Sequence, residues 1–226
     1  MLRPLVEVRQ ASRVYQQGNA SVTALIAASC EVYPGARIAL VGPSGSGKST
    51  LLHLLGGLET PSTGTVTWPA LGPRESLRPK QVACVFQTPS LIPSLSVVEN
   101  VELPLLLAGT NREARTSALA TLERIDLLEL ADKLPEELSG GQAQRVGVAR
   151  ALAYQPKLIL ADEPTGQLDH PTAAHLLDVW LAALEDTNIA LIIATHDLMV
   201  AERLDDIWHL RFGRLEASFE HEEVFA

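Results

Sequence analysis

The chain is poor in several things, and each shortage removes a class of protein. Cysteine occurs twice, Cys30 and Cys84, each inside an apolar strand-like run. That excludes a disulfide framework or a cysteine metal centre and reads as two buried thiols of a reducing compartment. No apolar run reaches the ~20 residues that a membrane helix needs. The N-terminus lacks the basic stretch and apolar core of a signal peptide, so the chain is expected in the cytosol, with any membrane role supplied by a partner. Positive charge is short as well, 18 Lys and Arg against 27 Asp and Glu, a formal charge of −9. Nucleic-acid affinity rests on cations that displace counterions, and anionic lipid attracts the same groups, so neither is expected as a partner. The basic cluster Arg74, Arg78 and Lys80 reads as a solvated loop. Repeats and low-complexity stretches are absent, and disorder is expected only at the acidic end Glu220-His221-Glu222-Glu223.

What remains is an ordinary globular composition, 46% hydrophobic and 20% charged, over 226 residues. That length is long for one domain and short for two, which points to one core with an inserted subdomain. Residues 3–41 read as short strands, among them the alternating Leu5-Val6-Glu7-Val8 and the buried run Arg37 to Val41. A helix is predicted over Lys48–Leu55, and a strand-rich patch over 65–86, broken by Pro69, Pro73 and Pro79. From Pro89 to Ala153 the pattern turns helical. Thr110 and Glu113 form a capping box ahead of the stripe Ala118, Leu119, Leu122, Ile125, Leu128, and a further helix covers Gln142 to Tyr154. Two continuous apolar runs follow, Leu158 to Ala161 and Ile189 to Ala194. Between them a helix opened by Pro171 carries Leu176, Leu177, Trp180 and Leu184. Apolar strands alternating with helices mean a parallel sheet covered on both faces. Ile207–Ala217 reads as a hairpin turning at Phe212-Gly213.

The chemistry begins at Gly42-Pro43-Ser44-Gly45-Ser46-Gly47-Lys48-Ser49-Thr50, which fits the phosphate loop GxxxxGK[ST]. Glycines let backbone N–H groups turn inward around phosphates, and the helix that follows offers its positive end. Lys48 would reach the β- and γ-phosphates and Ser49 would bind Mg²⁺. Leu158 to Glu163 is a buried strand ending in two acids. At the carboxyl edge of a parallel sheet Asp162 would hold Mg²⁺ and Glu163 would polarise an attacking water as general base. A phosphate loop alone does not name the machine. No NKxD base-reading motif of Ras-type GTPases occurs, and small nucleotide kinases usually lack a glycine loop such as Leu138-Ser139-Gly140-Gly141-Gln142. Ser139 can cap a helix whose first turn has bare N–H groups, a second anion site. The first loop already holds all the phosphates of one nucleotide, so the second is expected to serve a nucleotide on another copy.

With these residues in order, the chain resembles an ABC-type ATPase cassette over essentially its whole length, and the resemblance implies further roles. Tyr15 resembles the aromatic that stacks on adenine, and Gln87 the Q-loop glutamine, a further Mg²⁺ contact. Ser139, Gly140, Gly141 and Gln142 resemble the signature that meets the γ-phosphate across a dimer. Leu168-Asp169 resemble the D-loop and His196 the switch histidine. By themselves Tyr15 fits a half-buried strand residue and His196 a satisfied strand-end histidine. The stretches 50–66 and 86–109 resemble the subgroup of ATPases for macrolide export, lipoprotein release, cell division and haem or peptide efflux. The segment from Gly64 to Gln87 is shorter than in that subgroup, and Ala143 stands where it often has glutamine.

The resemblance implies an α/β fold: a P-loop NTPase with a RecA-like core over residues 34–87 and 154–226, an antiparallel β subdomain on its N-terminal side, and an inserted α-helical subdomain over 88–153. It implies ATP and Mg²⁺ as ligands, and hydrolysis by a dimer formed with a second copy or a paralogous cassette. It also implies a transmembrane permease docked near Gln87 to Asn100, which would hold the chain at the cytoplasmic face of the membrane. DNA-repair relatives of the Rad50 type insert a long coiled coil between the two nucleotide motifs, for which Lys48 to Asp162 leaves no room. Ribosomal relatives carry two cassettes where this chain has one. A purely regulatory or scaffolding ATPase stays open at this stage, and the cargo is not encoded here.

Overall fold

Two long antiparallel strands open the structure. The computed structural model describes residues 2–18, 20–109 and 112–217, and in it β1 (Val6–Gln17) pairs along its length with β2 (Ala20–Val32). Short strands were expected here, and the difference has a local cause. Buried positions run Val6, Val8 and then Ala11 on β1, and Leu25 and then Ala28, Cys30, Val32 on β2. The alternation slips by one residue on each strand. Gln10 (φ 48°) and Ala27 (φ 44°) sit at the slips, where the pairing register shifts. Hydroxyls satisfy the displaced amides: Gln10 N donates to Ser29 Oγ and Ala27 N to Ser12 Oγ, both at 2.9 Å. A bulge inverts the phase of alternation, so one continuous strand reads as two short ones.

β3 (Arg37–Val41), α1 (Lys48–Leu55), β4 (Thr63–Thr67) and β5 (Val82–Val85) follow. β4 joins β1 to complete a three-stranded sheet of order β2-β1-β4, whereas β5 joins a different sheet. The strand-rich patch expected over 65–86 is therefore divided, and the loop between its halves does another task. Trp68 Nε1 donates to Leu55 O (2.7 Å), Arg74 Nε to Gly57 O (2.8 Å) and Arg78 Nη1 to Gly56 O (2.5 Å). The last carbonyls of a helix lack intrahelical donors and carry partial negative charge; two guanidinium groups answer both needs. The reading of Arg74 and Arg78 as merely solvated is corrected: they cap the phosphate-loop helix, and Lys80 stays exposed.

The helical segment comprises α2 (Val97–Leu107), α3 (Ala114–Arg124) and α4 (Gly140–Leu152). Of the expected capping box before α3, Thr110 lies outside the described residues. Glu113 is itself the N-cap and makes no side-chain cap bond, so the helix starts later than the box requires. The capping box is instead at α2, where Ser96 N donates to Glu99 Oε2 (2.7 Å) and Glu99 N to Ser96 Oγ (3.4 Å). Then come β6 (Leu158–Asp162), α5 (His170–Leu184), β7 (Ala190–Thr195), α6 (Leu198–Ala201), and the hairpin β8 (Asp206–Arg211) and β9 (Arg214–Ala217). The helix opened by Pro171 and the turn at Phe212-Gly213 stand where the sequence puts them. The acidic end Glu220–Glu223 lies outside the described residues.

The second sheet has the order β5-β6-β7-β3-β8-β9, parallel through β8 and antiparallel only at β9. Its strands divide residue by residue between two cores. Ala39, Val41, Ile159, Ala161, Leu191 and Ile193 face the cluster of α2 to α5, with Leu122, Val146, Leu176 and Trp180. Ile38, Leu40, Leu158, Leu160 and Ile192 face α1 and the antiparallel sheet, with Leu51, Leu55, Val6 and Leu25. Both faces are covered, as continuous apolar strands require. Cys30 is buried in the second core, and burial pushes its thiol up to about 12; Cys84 is partly buried, its thiol also raised by burial. Replacing Arg74 and Arg78 by methionine removes the α1 cap while keeping volume. Each change is expected to cost about 1 kcal/mol, read as a lower urea midpoint at unchanged slope; a midpoint equal to wild type in the double variant would refute the capping role.

Candidate active site

Four neighbouring strands deliver the site because they end in register. Val41 pairs with Thr195, Val85 with Ala161 and Asp162 with Ala194, so whatever follows each strand emerges at one edge of the sheet. After β3 comes the phosphate loop, after β5 Gln87, after β6 Glu163, and after β7 His196. A cleft of about 470 Å³ lies there, lined by Ser44, Gly45, Gly47, Lys48, Ser49 and Thr50 of the loop and by Gln87, Asp162, Glu163, His196 and Ala24. These are residues that sequence reasoning assigned to the site, apart from Ala24.

The loop is shaped by what presses on it from outside. A Cβ at Gly42 would stand 2.1 Å from Leu210 O and 2.7 Å from Ser46 Oγ. At Gly47, where φ is 106°, it would stand 2.2 Å from Ala24 O. Only glycine fits at either position, the second for conformation as well as space. Gly213 N donates to Ser46 O (3.1 Å) and Ile26 N to Gly213 O (2.7 Å), so the β8–β9 turn braces the loop against β2. Ser46, within the loop, is buried.

Lys48 is buried, and its ammonium donates to Gly42 O (2.8 Å) and Pro43 O (3.3 Å) and pairs with Glu163 Oε1 at 3.4 Å. The other oxygen of Glu163 lies 2.9 Å from His196 Nδ1. Glu163 therefore bridges the phosphate-loop lysine and the histidine at the end of β7. Its backbone has φ 47°, an arrangement that costs a non-glycine residue of order 1 kcal/mol and gathers at functional sites. Glu163 N donates to Ala194 O and Glu163 O accepts from Gly166 N, which hold the turn. At Gly166 an added Cβ would lie 3.4 Å from Gln87 Nε2, so the turn also leaves room for the glutamine amide. Ser49 and Asp162 line the same cleft, one hydroxyl and one carboxylate. Among the described residues no group of three or more His, Cys, Asp or Glu could hold a metal alone. Two hard oxygen donors beside a phosphate site fit Mg²⁺, which keeps water and phosphate oxygens as its other ligands.

The remaining assigned residues stand apart from the cleft. Tyr15 does not line it. Ser139 caps α4 through a box, Gln142 N donating to Ser139 Oγ (3.3 Å) and Ser139 N to Gln142 Oε1 (2.9 Å). Gly140 is exposed, with open space where a side chain would go, while a Cβ at Gly141 would meet Thr172 Cγ2 at 2.5 Å. Asp169 caps α5 by accepting from Thr172 N at 2.8 Å, and that bond holds its carboxyl below the usual carboxylate range. The cap's contribution is present above the ordinary carboxylate pKa and is lost as pH falls through the lowered one.

Three polar residues escaped the sequence reading. Gln144, nearly fully buried on α4, donates to Phe86 O (3.1 Å), and Arg150 from the same helix donates to Ser90 O (2.5 Å). Asn100 is fully buried and holds the segment from within, Nδ2 donating to Ile92 O, Leu95 O and Ser96 O while Oδ1 accepts from Ile92 N. Polar residues in helices that otherwise pack apolar faces were the available signal: a buried amide needs partners.

A family profile described as ABC transporter matches residues 25–166. The chain belongs to the ABC transporter family. Among its relatives, the lipoprotein-releasing system ATP-binding protein LolD of Legionella pneumophila (strain Paris) is 44% identical over 211 residues, 90% of this chain and 93% of the relative. LolD of Pseudomonas syringae pv. tomato is 44% identical over 222 residues, 94% and 97% of the two chains. In structure the chain is similar to the dimeric post-hydrolysis ATP-binding cassette MJ0796 bound to ADP and Pi, with a TM-score of 0.83, 35% identity and coverage of 94% and 98%. It is also similar to cbiO1 of Clostridium perfringens, part of the ABC transporter complex cbiONQ, with a TM-score of 0.80, 28% identity and coverage of 94% and 87%. The ABC cassette identified from the motifs is thus the family of the whole chain. The fold is that of a P-loop NTPase, and the chain is an ATP-binding, ATP-hydrolysing subunit of an ABC transporter. Within this cassette Gly47→Ala should abolish measurable ATP binding, because the new methyl must displace the Ala24 carbonyl. Calorimetric titration checks it, and wild-type affinity in the variant would contradict the loop geometry.

Proposed function

We propose that this cassette works as two copies closing on ATP to drive a force-transmitting permease of the lipoprotein-release type at the cytoplasmic face of a membrane. The observation that carries the shared site is a separation. Lys48, Gln87, Glu163 and His196 line one cleft, while Ser139 and Gly140 face solvent away from it. A capped helix N-terminus with exposed glycine backbone is an anion site without an anion of its own in the same chain. A second copy supplies one. The 44% identity to lipoprotein-releasing ATP-binding proteins supports the class of permease. The segment from Gln87 to Asn100 is the surface offered to it, and residues 88–153 act as the inserted helical subdomain.

In this reading the adenine stacks on Tyr15, and the phosphates lie in the loop from Gly42 to Thr50 with Lys48 at the β- and γ-phosphates. Ser49 and Asp162, with Gln87 nearby, would hold Mg²⁺, which would supply charge neutralisation. Glu163 takes the proton of the attacking water, and His196 fixes the carboxylate's second oxygen. Ser139, Gly140, Gly141 and Gln142 of the second copy close on the γ-phosphate, and Asp169 joins the two sites. Phosphate binding would draw Lys48 from its ion pair and leave Glu163 held by His196 alone.

Glu163→Gln should retain ATP binding, lower hydrolysis about a hundredfold or more, and accumulate an ATP-bound dimer by size-exclusion chromatography. Turnover within a few-fold of wild type would remove Glu163 as base. A mixing experiment addresses the shared site. Ser139→Arg protein keeps its own phosphate loop, and Lys48→Ala protein keeps its signature. Each should be inactive alone, while the mixture regains part of the phosphate release through the one site built from two intact halves. Full activity of dilute Ser139→Arg protein, independent of concentration, would overturn the arrangement.

A further inference from the structure

We propose that Arg13 is a positioning residue for the nucleobase: with Glu59 as its anchor, it holds the Tyr15 ring flat and fastens it to the phosphate-loop helix. The inference rests on the reading of Tyr15 as the base platform and goes beyond it. Arg13 and Tyr15 are two apart on β1 and so share a face of the strand. The guanidinium carbon lies 4.7 Å from the centroid of the Tyr15 ring, within the range of a cation–π contact. The guanidinium is not free to leave. Its Nη2 donates to Glu59 Oε2 at 2.6 Å, with both side chains about a quarter exposed, at 23% and 30%.

Glu59 belongs to the turn that ends α1, its own N–H donating to His53 O. The same turn grips β1 twice more: Ser62 N donates to Ser12 O (2.7 Å) and Val14 N to Ser62 Oγ (3.0 Å). A register shift between Arg13 and Val14 lies at this point. Ring, guanidinium, carboxylate and helix thus form one connected path from Tyr15 to the helix that starts at Lys48. Among the described residues the buried Nε of Arg13 has no hydrogen-bond acceptor, and an unsatisfied buried donor in a native structure calls for a reason. Holding the guanidinium plane against the ring supplies it. With the guanidinium over one face of Tyr15, the base would stack on the other, and a platform fixed beforehand spares the base the cost of ordering it.

The test compares binding of Mg-ATP with binding of inorganic tripolyphosphate, which has no base, by the full-length chain and its variants. Arg13→Ala and Glu59→Gln should each weaken ATP binding about three- to tenfold and leave tripolyphosphate affinity unchanged. Arg13→Lys, which keeps the charge but not the plane, should recover only part of the loss. In a Tyr15→Ala background, Arg13→Ala should add nothing further. Retained tripolyphosphate binding also reports that each variant is folded. The inference is overturned if Arg13→Ala binds ATP as wild type does, if tripolyphosphate binding falls in parallel, or if the Arg13 and Tyr15 effects add. Where Tyr15→Ala weakens ATP binding and Arg13→Ala does not, this inference alone fails; where Tyr15→Ala has no effect, the base platform fails with it.

Discussion

The parallel pairing of β3 with β7 on one side and β8 on the other is the constraint on which the rest depends. Those hydrogen bonds put Val41 level with both Thr195 and His209, and through β7 they set the height of β6 and β5. A parallel ladder tolerates no slip, because a one-residue shift would exchange the two cores that divide Ile38 from Ala39 and Ile192 from Ile193. The site inherits this precision. Glu163 can touch Lys48 and His196 together only because three strands end at one level, and the left-handed backbone of Glu163 is tolerable because the ladder beneath it is buried on both sides.

How much of this was legible in the sequence follows from the range of each interaction. The phosphate loop, the acidic strand end and the helix opened by Pro171 are local patterns, and they stand in the structure where the residues put them. The long strands β1 and β2 were not legible as such, because the bulges at Gln10 and Ala27 reverse the apolar phase and only the partner strand shows that the ladder continues. Arg74 and Arg78 were misread for a related reason. Their acceptors are carbonyls of Gly56 and Gly57, and no side-chain pattern reports which backbone groups a helix end leaves unpaired. Before α3 the residues Thr110 and Glu113 suit a capping box, yet Glu113 caps without a side-chain bond, while Ser96 and Glu99 form a box before α2.

Gln144 carries the same lesson further. Its amide reaches the carbonyl of Phe86, fifty-eight residues away in the chain, and such a contact has no signature at short range. What the sequence does show is a glutamine within the buried stripe of a helix that also carries Val146, Val148 and Ala149. A polar group so placed must find a partner or cost the fold several times what an exposed one would. Asn100 is the parallel case, buried completely and satisfied at both ends of its amide.

These buried amides give the helical segment its relation to the cleft. α4 is capped by Ser139, which is exposed, and along its length binds the segment after β5 twice, Gln144 before Gln87 and Arg150 beyond it. Burial lowers the Arg150 pKa from its usual value, and its bond to Ser90 O meets the donor need that burial creates. At its N-terminal end the same helix meets α5, where Gly141 admits the Thr172 methyl beside the Asp169 cap. The segment after β5 and the start of α5 are therefore both fastened to α4. Ser139, outside the cleft, and the segment that carries Gln87 into it are thus tied to one helix within the chain.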